Sequence, residues 1–310
     1  MAGFADVIAA ADRLRGHVHE TPILTSHSLD LLAGRPVVLK CENFQRSGSF
    51  KFRGAAHAVA RLDPVLAVRG VVTHSSGNFA GALALAAALR GIPCHVVMPT
   101  HASAVKRQAV LDRGARVVPC PPTQADREAT AAQVVSETGG MLIHSYDDPD
   151  VLAGQGTAAL ELLNASPGLA AVLAPIGGGG LCGGCSLVAR HRHVAMWAAE
   201  PSGADDAARS LEAGRRLPQT APDTIADGLR TGLGRWTWPL VRDHVAHIER
   251  VPDGATRRAQ AFVADRLKII IEPSSAVAVA ALFGPLRDVA PGLPVGVIVS
   301  GGNVAVRFDA

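Results

Sequence analysis

Short apolar runs rich in β-branched residues alternate with alanine-rich stretches along almost the whole chain, and this alternation limits the possible folds more than any other feature. The first pair is the predicted strand Val37–Cys41 and the predicted helix Gly54–Leu62. Strands that alternate with helices of this length form crossover units in which successive strands run parallel. The sequence therefore predicts an α/β protein with open parallel sheets.

The same alternation continues through the second half of the chain. Further strands are predicted at Gly70–His74, Cys94–Met98, Ala115–Val118, Met141–His144, Ala170–Pro175, Val194–Ala199 and Val295–Val299. Helices are predicted at Met1–Val18, Phe79–Leu89, Val105–Arg113, Asp126–Glu137, Gln155–Leu163, from Leu181 onward, and at Ser274–Leu282. Because the loops that follow parallel strands meet at one edge of a sheet, we expect a ligand site built from several loops.

Charge and hydropathy exclude several classes of partner. The 30 basic and 27 acidic residues are mixed along the chain and give a net charge of +3, so no basic patch predicts a nucleic-acid partner. Glycine and proline interrupt the charge-free segment 162–189, which argues against a membrane-spanning helix. We therefore expect a small-molecule ligand, with neither nucleic acid nor a membrane as partner.

The cysteines do not form the pattern of a disulfide framework. They are Cys41, Cys94, Cys120, Cys182 and Cys185. Most lie in apolar or glycine-rich stretches, as reduced thiols of cytoplasmic proteins do. Cys182 and Cys185 form a C-x-x-C pair, but no second pair accompanies it, so we do not interpret it as a redox or zinc site. The sequence thus predicts a cytoplasmic location.

One lysine has the setting of a reactive amine. The lysines among the 30 basic residues are Lys40, Lys51, Lys106 and Lys268. An amine can lose its proton and form an imine, whereas a guanidinium stays protonated. Lys51 lies where a loop of small residues becomes a helix, between Phe50 and Phe52, and apolar surroundings lower the pKa of an amine. The alternative is a surface lysine at a helix N-terminus, although the helix dipole disfavours a cation there.

Two other loops are suited to anions. The turn Ser75–Asn78 joins a strand to a helix, where free backbone N–H groups bind carboxylate or phosphate, although a capping serine explains the same residues. The run Gly177–Gly180 opens a helix and could cradle a phosphate. Its residues also satisfy G-x-G-x-x-G, with Glu200 about 20 residues later, so by itself this segment favours NAD binding.

Taken together, these loops resemble the fold-type II pyridoxal 5'-phosphate (PLP) enzymes, most closely the serine racemase and serine/threonine dehydratase family. The resemblance runs from Thr21–Leu24 to Ser300–Asn303, and the motif G-S-F-K-x-R-G-A is represented by Gly48–Ala55. It implies a tryptophan synthase β-like fold with two open parallel-sheet domains and the active site between them. The implied large domain comprises residues 1–69 and 148–310, and the small domain 70–147 is inserted in it.

The resemblance also implies how PLP is bound. Lys51 would hold it as a Schiff base, with the Phe50 ring packed against the pyridine ring. Asn78 would contact the ring hydroxyl and Ser300 the pyridine nitrogen, where a neutral hydroxyl suits elimination chemistry. Backbone amides would hold the phosphate, and they belong to Gly177, Gly178, Gly179, Gly180 and Leu181.

A cation site is implied in the segment Glu200–Asp206. Its ligands would be the carboxylates of Glu200 and Asp206 and the backbone carbonyl of Ala204. Oxygen ligands favour Mg²⁺, Mn²⁺ or Ca²⁺ over zinc. This interpretation gives Glu200 a role other than binding a ribose, and the alternative to both is a solvated acidic loop.

The activity implied by the resemblance is dehydration of a β-hydroxy amino acid such as serine, threonine or 3-hydroxyaspartate to a 2-oxo acid and ammonia, racemisation of it, or both. Lys51 would take the α-proton, and Ser76 resembles the acid/base on the opposite face. The substrate carboxylate would be bound by Ser75, Ser76, Gly77 and Asn78. The resemblance further implies a homodimer, and the chain end soon after Asn303 predicts no C-terminal regulatory domain.

Two departures from the family leave the balance between these reactions open. Phe79 stands where many relatives have His, and Tyr146 stands where racemase-like relatives often have Asn. Other functions also stay open from the sequence. They are a β-replacement of the cysteine-synthase kind, a PLP-binding protein without catalysis, and a dinucleotide-binding protein built on the glycine loop.

Overall fold

The computed structural model describes residues 2–102 and 104–305 and shows an α/β fold with two sheets. The strands are β1 (Ile23–Thr25), β2 (Val37–Cys41), β3 (Val71–His74), β4 (Cys94–Pro99), β5 (Arg116–Cys120), β6 (Met141–Leu142), β7 (Ala171–Pro175), β8 (Ala195–Pro201), β9 (Val245–Val251) and β10 (Val295–Val299). The helices are α1 (Phe4–Leu14), α2 (His27–Ala33), α3 (Lys51–Arg61), α4 (Pro64–Ala67), α5 (Asn78–Arg90), α6 (Ala104–Leu111), α7 (Gln124–Thr138), α8 (Pro149–Ala165), α9 (Gly180–His191), α10 (Asp206–Ala213), α11 (Thr237–His244), α12 (Asp253–Leu267) and α13 (Pro273–Ala281). The predicted fold class is confirmed.

The chain forms part of the larger sheet, then the whole smaller sheet, and then returns to the larger one. The larger sheet has the order β1-β2-β10-β7-β8-β9, and its neighbours are parallel except for β1 and β2. The smaller sheet has the order β5-β4-β3-β6 and is parallel throughout. Its strands fall within the predicted small domain 70–147, and the domain boundaries themselves stay a prediction.

Helices cover both faces of the larger sheet. Its central strands β7 and β10 are buried along their whole length, which explains why they are continuous apolar runs in the sequence. Helices α1, α8, α9 and α11 pack on one face, and α2, α12 and α13 pack on the other. Helix α3 lies between the two sheets, because it packs against both α8 and α5. No helix in the ranges given above is long and apolar enough to span a membrane.

Most predicted elements are present with shifted ends. Helix α3 begins at Lys51 and not at Gly54, so the reactive-lysine candidate is the first residue of the helix. Helix α8 begins earlier than predicted because Asp148 caps it through the backbone N–H groups of Asp150 and Val151. The predicted N-terminal helix is shorter, and its Met1 lies outside the described residues. Strand β9 was not predicted, since its sequence VAHIERV lacks an apolar run.

A buried group of four charges fixes helix α3. Arg53 donates from Nε and Nη2 to the two carboxylate oxygens of Glu42, at 2.7 and 2.8 Å. It also donates from Nη1 and Nη2 to Glu161, at 2.6 and 2.8 Å. Lys40 Nζ lies 2.6 Å from Glu161 Oε2. Burial lowers the pKa of Arg53, but Glu42 and Glu161 outweigh it and raise that pKa above its ordinary value. The two cations therefore balance the two carboxylates.

Removing one charge from this group should destabilise the whole protein. Glu161→Gln leaves Lys40 and Arg53 buried with a single carboxylate, and an unbalanced buried charge costs about 3 kcal/mol. Urea denaturation monitored by circular dichroism measures this loss.

The matched control is Glu212→Gln, since Glu212 forms an exposed ion pair with Arg250 at 2.7 Å. Exposed pairs contribute little, so this variant should unfold like the wild type. Equal stability of the two variants would show that the buried charges are not what fixes helix α3.

Candidate active site

The loops singled out in the sequence follow the carboxyl ends of strands from both sheets. The turn Ser75–Asn78 follows β3, Gly177–Gly180 follow β7, and Ser300 follows β10. Direct contacts bring the Lys51 loop to this place, because Phe50 N donates to Ser300 O at 2.9 Å and Ser49 forms a β-bridge with Gly301. The two sheets thus bring together loops that are far apart in the sequence.

Lys51 has an apolar and mostly enclosed environment. Its Nζ donates to the backbone carbonyl oxygen of Ser145 at 3.0 Å and lies 5.0 Å from the ring centroid of Phe50 and 5.9 Å from that of Phe79. Burial lowers the pKa of Lys51 to about 8, and the Glu272 carboxylate opposes the shift. An amine with this pKa is partly neutral near physiological pH, as a nucleophile or base must be.

The turn Ser75–Asn78 presents its side chains at the start of helix α5. Ser75, Ser76, Gly77 and Asn78 are all half-buried. Gly77 N donates to Ser75 Oγ at 3.4 Å, so the turn is held partly by its own serine. Its place at a helix N-terminus suits a carboxylate.

The glycine loop has free donors where a phosphate would bind. Gly178 N donates to Thr231 Oγ1 at 3.1 Å. The buried backbone N–H groups of Gly179, Gly180 and Leu181 have no acceptor within residues 2–102 and 104–305. Buried N–H groups without a partner are rare in proteins, and at the N-terminus of α9 they form an anion site. These residues therefore fit the phosphate of PLP.

Close packing explains why the loop consists of glycines. A Cβ atom on Gly178 would lie 2.6 Å from the Tyr146 ring, and one on Gly180 would lie 2.7 Å from Tyr146 Cβ. Gly179 has φ +85°, a conformation that side chains with a Cβ rarely adopt. The dinucleotide interpretation needs Glu200 to face this loop, but both of its carboxylate oxygens accept backbone N–H groups of α10 at 2.9 Å.

Ser300 is buried at the end of β10 and is oriented by a second serine. Ser300 Oγ donates to Ser275 Oγ at 3.2 Å, and Ser275 Oγ also accepts from Gly301 N at 3.0 Å. The hydroxyl of Ser300 is thus held by a neutral partner. It fits a pyridine nitrogen that needs a neutral neighbour.

Two histidines near Lys51 are held neutral. The rings of His74 and His144 pack edge to face with their centroids 5.2 Å apart, and Tyr146 packs on His144 at 4.6 Å. Burial, followed by the charge of His74, lowers the pKa of His144 to about 4. Burial also lowers the pKa of His74. The site therefore offers one neutral imidazole near Lys51, that of His144, with His74 packed behind it.

The two departures from the family pattern both face this region. Phe79 is 1% exposed and belongs to the core beside the smaller sheet, so it presents an apolar ring to Lys51. Tyr146 packs on the glycine loop, and burial raises its pKa to about 12. Phe79 makes the surroundings of Lys51 less polar than His would, and Tyr146 fills the space against the glycine loop.

The predicted cation ligands lie together at the start of α10. Asp206 Oδ1 accepts from Gln219 Nε2 at 3.0 Å, and Oδ2 accepts from Leu233 N at 3.2 Å. Burial raises the pKa of Glu200 to about 8 and that of Asp206 to about 6. Two buried carboxyls of this kind fit a divalent cation, which would stabilise their charged forms. Within the described chain, no group of three or more His, Cys, Asp or Glu side chains forms a metal cluster, so the remaining ligands would be Ala204 O and water.

Sequence reasoning missed three contributors to the site. Glu272 binds Asn78, Ser275 binds Ser300, and the carbonyl of Ser145 accepts from Lys51. A signal existed for Glu272 alone, because it is an isolated charge between the apolar run Ile269–Ile271 and a proline. A backbone carbonyl leaves no signal in the sequence.

Comparison with known proteins identifies relatives of this site. Residues 14–301 match the family model described as pyridoxal-phosphate dependent enzyme. The chain is 46% identical to beta-hydroxyaspartate dehydratase of Paracoccus denitrificans, over 97% of this chain and 96% of the relative. It is 43% identical to serine racemase of Arabidopsis thaliana, over 97% and 93%. The structure of maize serine racemase matches with a TM-score of 0.97 at 41% identity, over 98% of this chain and 94% of that one.

Proposed function

Because the chain belongs to the family of pyridoxal-phosphate dependent enzymes, we propose the residues through which it dehydrates or racemises a hydroxy amino acid. Lys51 carries the cofactor, and the loop Gly177–Leu181 holds the phosphate. Among the described residues, its free donors are the amides of Gly179, Gly180 and Leu181, since Gly178 N donates to Thr231. Asn78 and Ser300 contact the ring, and Phe50 packs on it. The observation that carries this proposal is the lysine with a lowered pKa beside a glycine loop with unpaired amides.

When PLP is bound, it withdraws electrons from the α-carbon of the amino acid joined to it and so acidifies the α-proton. The turn Ser75–Asn78 binds the substrate carboxylate and fixes which bond faces Lys51. The lowered pKa of Lys51 leaves its amine free to accept the α-proton near neutral pH. The apolar rings of Phe50 and Phe79 keep water away from this amine.

After the α-proton is removed, the product depends on whether the β-hydroxyl leaves or a proton returns to the α-carbon. Loss of the β-hydroxyl as water, followed by hydrolysis with a second water molecule, leads to a 2-oxo acid and ammonia. A proton returned from the opposite face instead inverts the α-carbon. We assign the opposite-face proton to the hydroxyl of Ser76, which is half-buried in the turn.

The substrate is a β-hydroxy amino acid such as serine, threonine or 3-hydroxyaspartate. Arg127 on α7 supports the last of these. Its Nη2 donates to Pro122 O at 2.9 Å, but its Nε is buried and has no partner within the described chain, and its charge helps to lower the pKa of His74. A guanidinium so placed suits a second substrate carboxylate. Turnover of 3-hydroxyaspartate faster than that of serine or threonine supports this choice.

Replacing Lys51 tests the cofactor assignment directly. Lys51→Ala lacks the amine that forms the covalent bond, so the protein reconstituted with PLP should lose its visible absorption band and all turnover. Borohydride reduction of the wild type followed by peptide mass spectrometry should place the PLP adduct on residue 51. An adduct on another lysine would contradict the assignment.

Replacing Ser76 separates the two reactions. Ser76→Ala removes the hydroxyl on one face only, so racemisation of L-serine should fall about 100-fold or more, in the range that a general acid or base contributes. Dehydration of L-serine should fall much less, since Lys51 is unchanged. Chiral chromatography and 2-oxo acid release measure the two rates, and equal losses would exclude a two-face mechanism.

We further propose that Glu200, Asp206 and the carbonyl of Ala204 bind Mg²⁺, with Mn²⁺ or Ca²⁺ as substitutes. EDTA should lower the melting temperature of the holoenzyme, and added Mg²⁺ should restore it, because a ligand that binds the folded state stabilises it. Asp206→Asn should abolish this response, whereas Glu212→Gln should retain it. A wild-type melting temperature that EDTA leaves unchanged would refute the site.

We also propose a cytoplasmic homodimer. The support for a cytoplasmic location is that the five cysteines are all free and buried, as in proteins of reducing compartments. The dimer rests on the resemblance to the family, and sedimentation of the holoenzyme tests it.

A further inference from the structure

Two residues, Glu272 and Asn303, bind the two ends of the Asn78 side-chain amide. Glu272 precedes helix α13, and Asn303 follows strand β10 of the larger sheet. Asn78 Nδ2 donates to the Glu272 carboxylate, with Oε1 at 2.8 Å and Oε2 at 3.0 Å. Its Oδ1 accepts from Asn303 Nδ2 at 3.0 Å, and Asn303 Nδ2 also donates to Ser47 O at 2.8 Å. Among the described residues, every hydrogen bond of the amide therefore comes from outside the turn that carries it.

We propose that Glu272 is a positioning residue that fixes the orientation of the Asn78 amide for the cofactor. This inference rests on the proposed contact between Asn78 and PLP. An ionised carboxylate only accepts hydrogen bonds, so it can face Nδ2 of Asn78 but not Oδ1. Asn303 occupies Oδ1 from the other side, and together the two residues exclude the flipped amide.

This arrangement leaves one donor of Asn78 available. The two N–H bonds of an amide diverge too widely to reach both oxygens of one carboxylate, so a single N–H is shared between Oε1 and Oε2 of Glu272. The second N–H of Nδ2 has no acceptor in the part of the chain that the structure describes, so it can donate to an oxygen of the bound cofactor. The charge on Glu272 strengthens the shared hydrogen bond and holds the free one in a fixed direction.

The charges around Glu272 make its hold on Asn78 depend on pH. Burial raises the pKa of Glu272 to about 7, the Asn78 hydrogen bond lowers it, Asp227 raises it, and Lys106 and Lys51 lower it. Lys106 on α6 also pairs with Asp227, so these two charges largely offset each other. Below pH 7 the carboxyl gains a proton, becomes a donor as well as an acceptor, and no longer selects one orientation of the amide.

The same contact joins the two sheets beside the cofactor site. Asn78 is the first residue of α5, next to the smaller sheet, whereas Glu272 precedes α13 and Asn303 follows β10 of the larger sheet. Glu272 N also donates to Gly301 O at 3.0 Å, which fixes the residue that holds Asn78. The orientation of the Asn78 amide thus depends on how α5 is positioned against the larger sheet.

A double-mutant cycle tests whether Glu272 acts through Asn78. The PLP dissociation constant is measured by equilibrium dialysis for the wild type, Glu272→Gln, Asn78→Ala and the double variant at pH 8. Gln carries both a donor and an acceptor and so permits either orientation. We expect Glu272→Gln alone to weaken PLP binding about 10-fold, the effect of losing one hydrogen bond to a charged group. In the Asn78→Ala background, the same substitution should change the dissociation constant by less than about twofold.

A second readout follows the carboxyl itself. Between pH 8 and pH 6 the PLP affinity of the wild type should fall by about 10-fold more than that of Glu272→Gln. The reason is that the Glu272 carboxylate of the wild type becomes protonated in this interval, whereas Gln has no group that titrates. Glu272→Asp keeps a titrating carboxyl and should keep this additional step. Melting of the apoprotein shows whether Glu272→Gln folds. If it does not, the wild type and Glu272→Asp are compared instead. If neither shows the fall in PLP affinity between pH 8 and pH 6, the proposal is overturned.

The matched control is Glu212→Gln, whose carboxylate is exposed and bound to Arg250, and its PLP affinity should equal that of the wild type at both pH values. Additive effects of Glu272→Gln and Asn78→Ala would overturn the inference, because Glu272 would then act independently of Asn78. A wild type that binds no PLP would instead refute the proposed function, so the two failures are distinguishable.

Discussion

The balanced group of buried charges around Arg53 is the constraint on which the rest of the site depends. Arg53 lies two residues after Lys51 on helix α3, and its guanidinium is bound by carboxylates from two other parts of the chain, Glu42 and Glu161. A guanidinium with several fixed partners cannot rotate or slide without leaving a buried charge unpaired. The first turn of α3 is therefore fixed along and around the helix axis, and the Lys51 amine is fixed with it.

A fixed amine is useful only if the opposite walls of the site are fixed relative to it. The carbonyl of Ser145, which accepts from Lys51, immediately precedes Tyr146, and Tyr146 packs against the glycine loop. On the other side, Phe50 N is bonded to Ser300 O. Short contacts thus connect the amine to the amides suited to a phosphate and to the hydroxyl suited to a ring nitrogen. Distances across the site are set by backbone contacts more than by flexible side chains.

The parts of the fold and site that were predictable are those encoded by neighbouring residues. The alternation of apolar runs and alanine-rich stretches predicted the parallel sheets, because strands such as β7 and β10 are buried on both faces. Lys51 and the four glycines could be singled out from the sequence because their chemistry is local, and their roles in the site stay a proposal. Glu272 stands out in the sequence only as an isolated charge, and Ser275 does not stand out at all. Neither partner could be assigned, since each acts on a residue far away in the sequence and nothing near Asn78 or Ser300 specifies it. Strand β9 was missed because an edge strand needs no continuous apolar run.

The ionisable groups near Lys51 share one physical feature, which is that burial shifts each toward its neutral form. The pKa of Lys51 is lowered to about 8, that of His144 is lowered to about 4, and that of Glu272 is raised to about 7. Desolvation is the largest cause in each case, so the effect belongs to the enclosed site and not to one ion pair. Because these three groups are shifted toward their neutral forms, the charge of a bound anionic cofactor would be compensated mainly by backbone amides and by Lys51. Electrostatic control of the reacting carbon would then come from the few groups whose protonation changes near neutral pH, namely Lys51 and Glu272.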